Sequence, residues 1–244
     1  MNNKLKEYFK NFKTAIVALS GGADSSAVLK LATDYLGKEN VLAATCVNFN
    51  MFVYEINFAY KVADLLNVAW KPFYAKLANE LFTDDRDKCF YCKKNILGEL
   101  VKIKKEFGID VIFDGSNTDD LADYRPGMKA IEMFNIKSPL LENELGKEYV
   151  SEVIKNSVLN TLSFHTQSCI ATRIKMKNAT VEDMRRIELA EDKLREKFPD
   201  IRVRYFGDYL KVEFKRDRII GGFDRRFIFE VLEKIFGEKI KITI

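Results

Sequence analysis

The stretch Ser20-Gly21-Gly22-Ala23-Asp24-Ser25-Ser26 gathers the groups that hold an anion. Two adjacent glycines let backbone N–H groups approach an anion with no Cβ in the way. A helix that starts directly afterwards turns its unpaired N–H groups and positive dipole end to the same point. Ser20, Ser25 and Ser26 add hydroxyl donors, and Asp24 suits the site when a divalent cation accompanies the phosphates, as Mg²⁺ accompanies ATP. There is no lysine after the glycines and no G-x-G-x-x-G spacing, so the loop differs from both common nucleotide loops. The strand–turn–helix context favours a phosphate site over a turn that only starts a helix.

A second loop repeats this logic. Gly115-Ser116-Asn117-Thr118-Asp119-Asp120 follows an apolar run; its small residues permit close backbone approach, and Asp119, Asp120 and Asp123 are candidates to hold Mg²⁺ or orient a ribose. Arg125-Pro126-Gly127 adds a fixed cation and a proline suited to a first helical turn. The plainer reading is an Asp/Asn-rich turn.

Cys89-Phe90-Tyr91-Cys92 is a C-x-x-C at the start of a predicted helix, where both sulfurs face one point and the dipole favours thiolate. Cys169 lies far along the chain. Three thiolates can hold three irons of a 4Fe-4S cluster, leaving the fourth open to an exogenous sulfide. Zinc held with His165 in a Cys₃His site, or a persulfide on Cys169 resolved by the pair, satisfies the same spacing. Cys46 sits inside a predicted strand and reads as core. Arg202 and Arg204 alternate on one strand and share a face, where paired guanidiniums would clamp a phosphate; Glu191 and Glu213 stand to oppose them. The alternative is a solvated charged face.

The elements that must position these groups follow from hydrophobic patterning. Runs at 14–19, 41–48, 69–74 and 111–114 read as strands, alternating with helices after residue 20 and over 54–66 and 89–107. That alternation predicts an α/β fold, a parallel sheet flanked by helices with ligands at the carboxyl ends of its strands. Helices are also expected over 4–12, 127–134 and 147–162. Beyond an irregular stretch at 164–174, Thr180-Val181-Glu182-Asp183 opens a helix to about 198, and strands at 201–206, 209–214 and 239–244 with a helix over 224–236 predict a small α+β domain. The expected division is a nucleotide-binding domain over 1–164 and a C-terminal domain over 165–244.

Composition bounds the function. The 244 residues are 47% hydrophobic, enough for one large or two modest cores. Net charge is +4 from 40 basic and 36 acidic residues, which argues against an extended nucleic-acid footprint. No run approaches a membrane span, and residues 1–13 carry lysines but no apolar core followed by a small-residue cleavage site, so a cytoplasmic location is expected. Four cysteines in that setting read as metal or sulfur chemistry rather than a disulfide framework.

The S-G-G-x-D-S loop resembles the PP-loop of the N-type ATP pyrophosphatases, which cleave ATP between the α and β phosphates. Taken with D-K-C-F-Y-C-K at 87–93, D-G-S-N-T-D-D-L-A-D-Y-R-P-G at 114–127, Ser138-Pro139-Leu140, Cys169-Ile170-Ala171-Thr172-Arg173 and Arg202-Val203-Arg204, it resembles the LarE-type ATP-dependent sulfurtransferases in particular. That resemblance implies adenylation of a carboxylate on a pyridinium dicarboxylate mononucleotide and its replacement by sulfur, with Cys169 as the sulfur site and 165–244 as the sulfur-transfer and substrate domain. It implies ATP and Mg²⁺ at Ser20, Gly21, Gly22, Asp24, Ser25 and Ser26, with Gly115, Asp120, Asp123 and Arg125 in the same cleft. Arg173, Arg202 and Arg204 would meet the substrate, and Glu191 and Glu213 a second cation. Some family members spend the sulfur of the Cys169 equivalent in one turnover. Others add a C-x-x-C and resemble cluster-bearing enzymes, and Cys89, Cys92 and Cys169 match that version, with an external sulfide or sulfur donor and a homo-oligomeric state expected. A PP-loop tRNA thiolase is the competing class, but such enzymes carry extra zinc cysteines or a basic RNA-binding module. The chain departs from the family after Arg173, where Ile174-Lys175-Met176-Lys177 replaces a Pro-Tyr-Gly turn.

Overall fold

A computed structural model describes residues 3–82, 86–122, 126–164, 168–215 and 219–244. The chain divides into two compact units, Met1–Gln167 and Ser168–Ile244.

In the first unit, strands β1 (Ala15–Ala18), β2 (Val41–Cys46), β3 (Ala69–Phe73) and β4 (Val111–Phe113) form a parallel sheet in the order β3-β2-β1-β4. The inner strands are short continuous apolar runs because both faces of a parallel sheet are covered by helices. Alternation along β1 sorts them. Ala15 and Val17 pack with helices α1 (Asn3–Phe9), α2 (Ala23–Leu36), α3 (Val53–Leu65) and α7 (Lys147–Lys155), whereas Ile16 packs with α4 (Lys88–Phe107) and α5 (Gly127–Met133). Pro72 sits on β3, the edge strand, where its missing N–H costs no ladder bond. Trp70 is tied into the sheet by Nε1 donating to Thr45 Oγ1 at 2.9 Å. Strand order reverses between β2 and β4 around β1, so the loops after β1 and β4 flank the switch-point crevice.

Two local features differ from the periodicity. The helix expected over 147–162 ends at Lys155, because Ser157 donates to Ile154 O at 3.0 Å and accepts from Leu159 N at 3.3 Å, opening a separate 3₁₀ turn, Val158–Thr161. A short helix α6, Pro139–Glu142, with Pro139 in its first turn, is too brief to show a period.

In the second unit, β5 (Ile201–Tyr205) and β6 (Tyr209–Phe214) form an antiparallel hairpin turned at Gly207 (φ 96°), and β7 (Lys241–Thr243) adds parallel to β6. Helices α8 (Val181–Arg195) and α9 (Gly222–Phe236) bury Ile187, Ala190, Leu194, Ile228 and Leu232. Among the described residues no helix is long and apolar enough to cross a membrane.

Helix α8 starts at a reciprocal cap. Asp183 N donates to Thr180 Oγ1 at 3.2 Å and Thr180 N to Asp183 Oδ2 at 2.8 Å. Thr180→Ala is expected to lower unfolding free energy by about 1 kcal/mol, read as a lower urea midpoint with an unchanged slope.

Candidate active site

The loop after β1 is closed by its own serines. Ser20 N donates to Ser25 Oγ at 3.2 Å, Gly22 N to Ser20 Oγ at 3.3 Å, and the Ser25 and Ser26 hydroxyls donate to Gly22 O at 3.1 and 2.8 Å. Ser26 is fully buried, so its hydroxyl shapes the turn rather than facing a ligand, which corrects the expectation of three donors. Gly22 is the N-cap of α2, and among the described residues no side chain caps it, leaving that helix end to an anion. Asp24 is half-buried in the first turn.

Bare backbone is needed at two positions. Gly21 has φ +82°, and a Cβ there would lie 3.0 Å from Glu55 O of α3. A Cβ at Gly115 would lie 2.7 Å from Ser25 N, closer than real Cβ atoms come. The loops after β1 and β4 are thus packed backbone to backbone.

The second loop is built on Asp114, which is buried and accepts from Lys93 Nζ at 3.0 Å, Ser116 Oγ at 2.8 Å, Ser116 N at 3.2 Å and Ser138 Oγ at 2.6 Å. Asp119 is not placed as a cation ligand: its Oδ2 accepts Lys147 N at 2.7 Å and caps α7. Asp120 is buried and accepts Asn117 N at 3.3 Å. Asp123 and Arg125 lie outside the described residues. Sequence reasoning missed Asn117, which is fully buried. Its Oδ1 accepts Asp119 N at 3.0 Å, while its Nδ2 has no partner among the described residues. A buried amide donor left unmade costs about 1–3 kcal/mol, so Asn117 Nδ2 is a candidate donor to a polar group in this loop. Lys93 was missed as well, its only signal being its place directly after Cys92.

Cys89 is exposed and Cys92 half-buried on the first turn of α4. Asn50 Nδ2, from the loop after β2, lies 3.6 Å from Cys92 Sγ, which places the C-x-x-C at the carboxyl edge of the sheet. Cys46 is buried, as its strand position implies, and burial pushes its thiol up to about 11. Cys169 is half-buried just ahead of a 3₁₀ turn, Ile170–Thr172, in the second unit, and His165 lies outside the described residues. Among the described residues no three His, Cys, Asp or Glu side chains gather as a metal-holding group. Cys89 and Cys92 in the first unit and Cys169 in the second are free thiols outside any disulfide, the soft ligand type that iron and zinc centres take.

The second unit collects the expected arginines and glutamates, but in two layers. Arg173 and Glu191 are both fully buried. Arg173 Nε and Nη2 donate to Glu191 at 3.0 and 3.3 Å. Its Nη1 donates to Ser168 O, and to Ser168 Oγ, Cys169 O and Thr172 Oγ1 at 2.8, 3.2 and 3.2 Å. Glu191 also accepts from Val203 N at 2.9 Å and from Arg195 Nη2. Both groups were expected to face substrate or cation; instead their hydrogen-bonding capacity is spent inside the unit. Arg202 and Arg204 form the outer layer, half-buried on β5. Arg204 pairs with Glu213, which stands diagonally across the hairpin and directly opposite Arg202, and donates Nη1 to Thr172 O at 3.0 Å. Arg202 Nε is buried without a partner among the described residues, and burial, then Arg173 and Arg204, push this guanidinium below its ordinary pKa.

A parallel four-stranded sheet with a glycine-backed anion loop at its switch point, and a small second sheet, is the architecture of a PP-loop α/β enzyme. The family described as NAD synthase matches residues 1–89. Pyridinium-3,5-bisthiocarboxylic acid mononucleotide synthase of Lactiplantibacillus plantarum is 30% identical over 215 residues, 86% of this chain and 78% of that protein. An uncharacterized protein of Methanocaldococcus jannaschii is 31% identical over 247 residues, 99% of this chain and 88% of its own. Another from Synechocystis sp. is 30% identical over 219 residues, 88% and 81% respectively. The chain belongs to the LarE-type family of PP-loop sulfurtransferases and is an ATP-dependent enzyme of that class.

Two outcomes follow from this geometry. Gly115→Ala drives a methyl into the Ser25 amide and is expected to abolish ATP binding in equilibrium dialysis, whereas Gly98→Ala, whose Cβ meets only Phe134 at 3.8 Å, leaves it intact. A thiol at about 11 is almost wholly protonated at pH 8. Alkylation of Cys46 in the metal-free protein should therefore lag far behind that of exposed Cys89 at pH 8, the gap closing as pH rises towards 11, as peptide mass spectrometry will read.

Proposed function

We propose that this chain spends ATP to activate a carboxylate of a pyridinium-3,5-dicarboxylate mononucleotide and exchanges the activated oxygen for sulfur. The observation that carries the reading is one chain pairing a glycine-backed anion loop with a unit in which Cys169 adjoins an under-neutralised arginine cluster. The likeness to a synthase named for a bisthiocarboxylic mononucleotide supports the acceptor. A carboxylate oxygen attacks the α-phosphorus, the bond to the β-phosphate oxygen breaks and pyrophosphate leaves. A sulfur nucleophile then takes the acyl carbon, and AMP departs with the former carboxylate oxygen.

In this reading Gly21, Gly22 and Ser25 present backbone to the phosphates, Ser20 and Ser26 hold the turn, and Asp24 carries Mg²⁺. Gly115, Asp120, Asp123 and Arg125 complete the nucleotide cleft, with Asn117 as an added donor. Arg202 and Arg204 take the acceptor's phosphate, a bidentate match of guanidinium to phosphate, and Glu213 lies beside a second cation. Cys89, Cys92 and Cys169 hold a 4Fe-4S cluster, leaving Cys46 as the core thiol. Such a cluster with three protein ligands supplies an open coordination position for external sulfide. A homo-oligomer in the cytoplasm acting on a small molecule, not tRNA, completes the proposal.

Product chromatography tests it: AMP and pyrophosphate in step with thiocarboxylate are expected, and ADP with phosphate overturns the adenylation. Anaerobic purification is expected to give about four irons per chain, lost in Cys89→Ser, Cys92→Ser and Cys169→Ser but kept in Cys46→Ser. Stoichiometric zinc instead overturns the cluster.

A further inference from the structure

The loop that bears Cys169 has little secondary structure of its own. It spans one 3₁₀ turn, and its residues from Ser168 to Thr172 are held by side-chain bonds rather than by a ladder or a long helix. Those bonds converge on one group. Arg173 Nη1 reaches the carbonyls of Ser168 and Cys169 and the hydroxyls of Ser168 and Thr172, and the same guanidinium is fixed from behind by both oxygens of Glu191. Glu191 is in turn pinned by Val203 N of β5 and by Arg195, four residues on along α8. Thr172 Oγ1 completes the clasp by donating to Cys169 O at 2.6 Å.

We propose that Arg173 is a positioning residue for sulfur transfer: anchored by Glu191 to α8 and β5, it fixes the backbone of Cys169 and so the place of its thiol. This rests on the proposed role of Cys169 in delivering sulfur. Arg173 meets no ligand in this role, and Glu191 serves as the counter-ion of the clasp rather than as a cation ligand. Geometry favours this division because neither group is exposed, and a planar guanidinium is the side chain able to serve two carbonyls, two hydroxyls and a carboxylate at once. The Arg202–Arg204 layer remains for the acceptor, and Arg204 Nη1 on Thr172 O ties that layer to the same loop. The clasp therefore sets the sulfur and the phosphate-binding arginines in one frame.

The test uses the full-length protein as purified anaerobically, with ATP, sulfide and pyridinium-3,5-dicarboxylate mononucleotide. Arg173→Lys keeps the charge but loses the fork, and Thr172→Val removes the hydroxyl at nearly constant volume. In Arg173→Lys, sulfur transfer is expected to fall by about tenfold or more, since small misplacements of reacting groups cost that much, while the KM values for ATP and mononucleotide stay within about twofold. Amide exchange over 168–172 should quicken while that of α8 is unchanged. Thr172→Val should show the same pattern more weakly, and it alone decides if Arg173→Lys does not fold. Unchanged transfer and unchanged exchange at 168–172 overturn the proposal, and so does exchange that quickens uniformly across the second unit, which would make the clasp a stability element. Sulfur transfer surviving in Cys169→Ser sinks the functional reading instead, a result independent of the exchange pattern.

Discussion

Two stretches of backbone must meet with no side chain between them at the carboxyl end of β1, and the first unit is arranged around that requirement. Peptide N–H groups bind an anion only if nothing covers them, so the turn after β1 uses Gly21 in a left-handed conformation, close under α3. The turn after β4 presses Gly115 against the Ser25 amide from the other side. Strand order makes the meeting possible: β4 lies beside β1, so consecutive βα units that run outward to β3 leave a gap where the chain returns. Serine hydroxyls then close the turn internally, which keeps the loop preformed and lowers the ordering cost that ligand binding would otherwise carry.

The second unit solves a different problem, that of a cation-rich surface without collapse of its loops. A carboxylate taken wholly out of water costs several kcal/mol unless its lone pairs are met, and Glu191 meets them with two arginines and a backbone amide. Burial, Arg173 and Arg204 push the Arg202 guanidinium below its ordinary pKa, against the opposing pull of Glu191 and Glu213. The inner carboxylate is consumed by structure, while in the outer layer Arg204 is paired with Glu213 and Arg202 Nε is buried without a partner among the described residues.

Much of this was legible in the sequence because the informative features are local. Short apolar runs marked β1 to β4, Thr180 and Asp183 marked the start of α8, and alternation placed Arg202 and Arg204 on one face of β5. What escaped depends on partners far along the chain. Asp119 reads as a metal-binding carboxylate beside Asp120, yet it caps a helix that begins at Lys147. The family resemblance implies ligand roles for Arg173 and Glu191, and only their 18-residue separation folded into contact reveals a buried clasp. Asn117 shows no sign in sequence of the donor it leaves unpaired among the described residues.

The C-x-x-C is bound into the same architecture as the nucleotide loops. Lys93, directly after Cys92, reaches the buried Asp114, and the residue after Asp114 is the glycine that meets Ser25. On its other flank the first turn of α4 faces Asn50, itself held by its N–H on Asn48 Oδ1 in the loop after β2. A turn fastened on both sides has little freedom to choose where its sulfurs point. The position of Cys92 is therefore set by the contacts that shape the anion site, through rigid elements within hydrogen-bonding reach of one another, and a substitution at Asp114 would disturb both ends together. The C-x-x-C and the glycine-backed loops share one edge of the sheet, and one buried carboxylate, Asp114, is bonded to Lys93 beside the first and to Ser116 in the second.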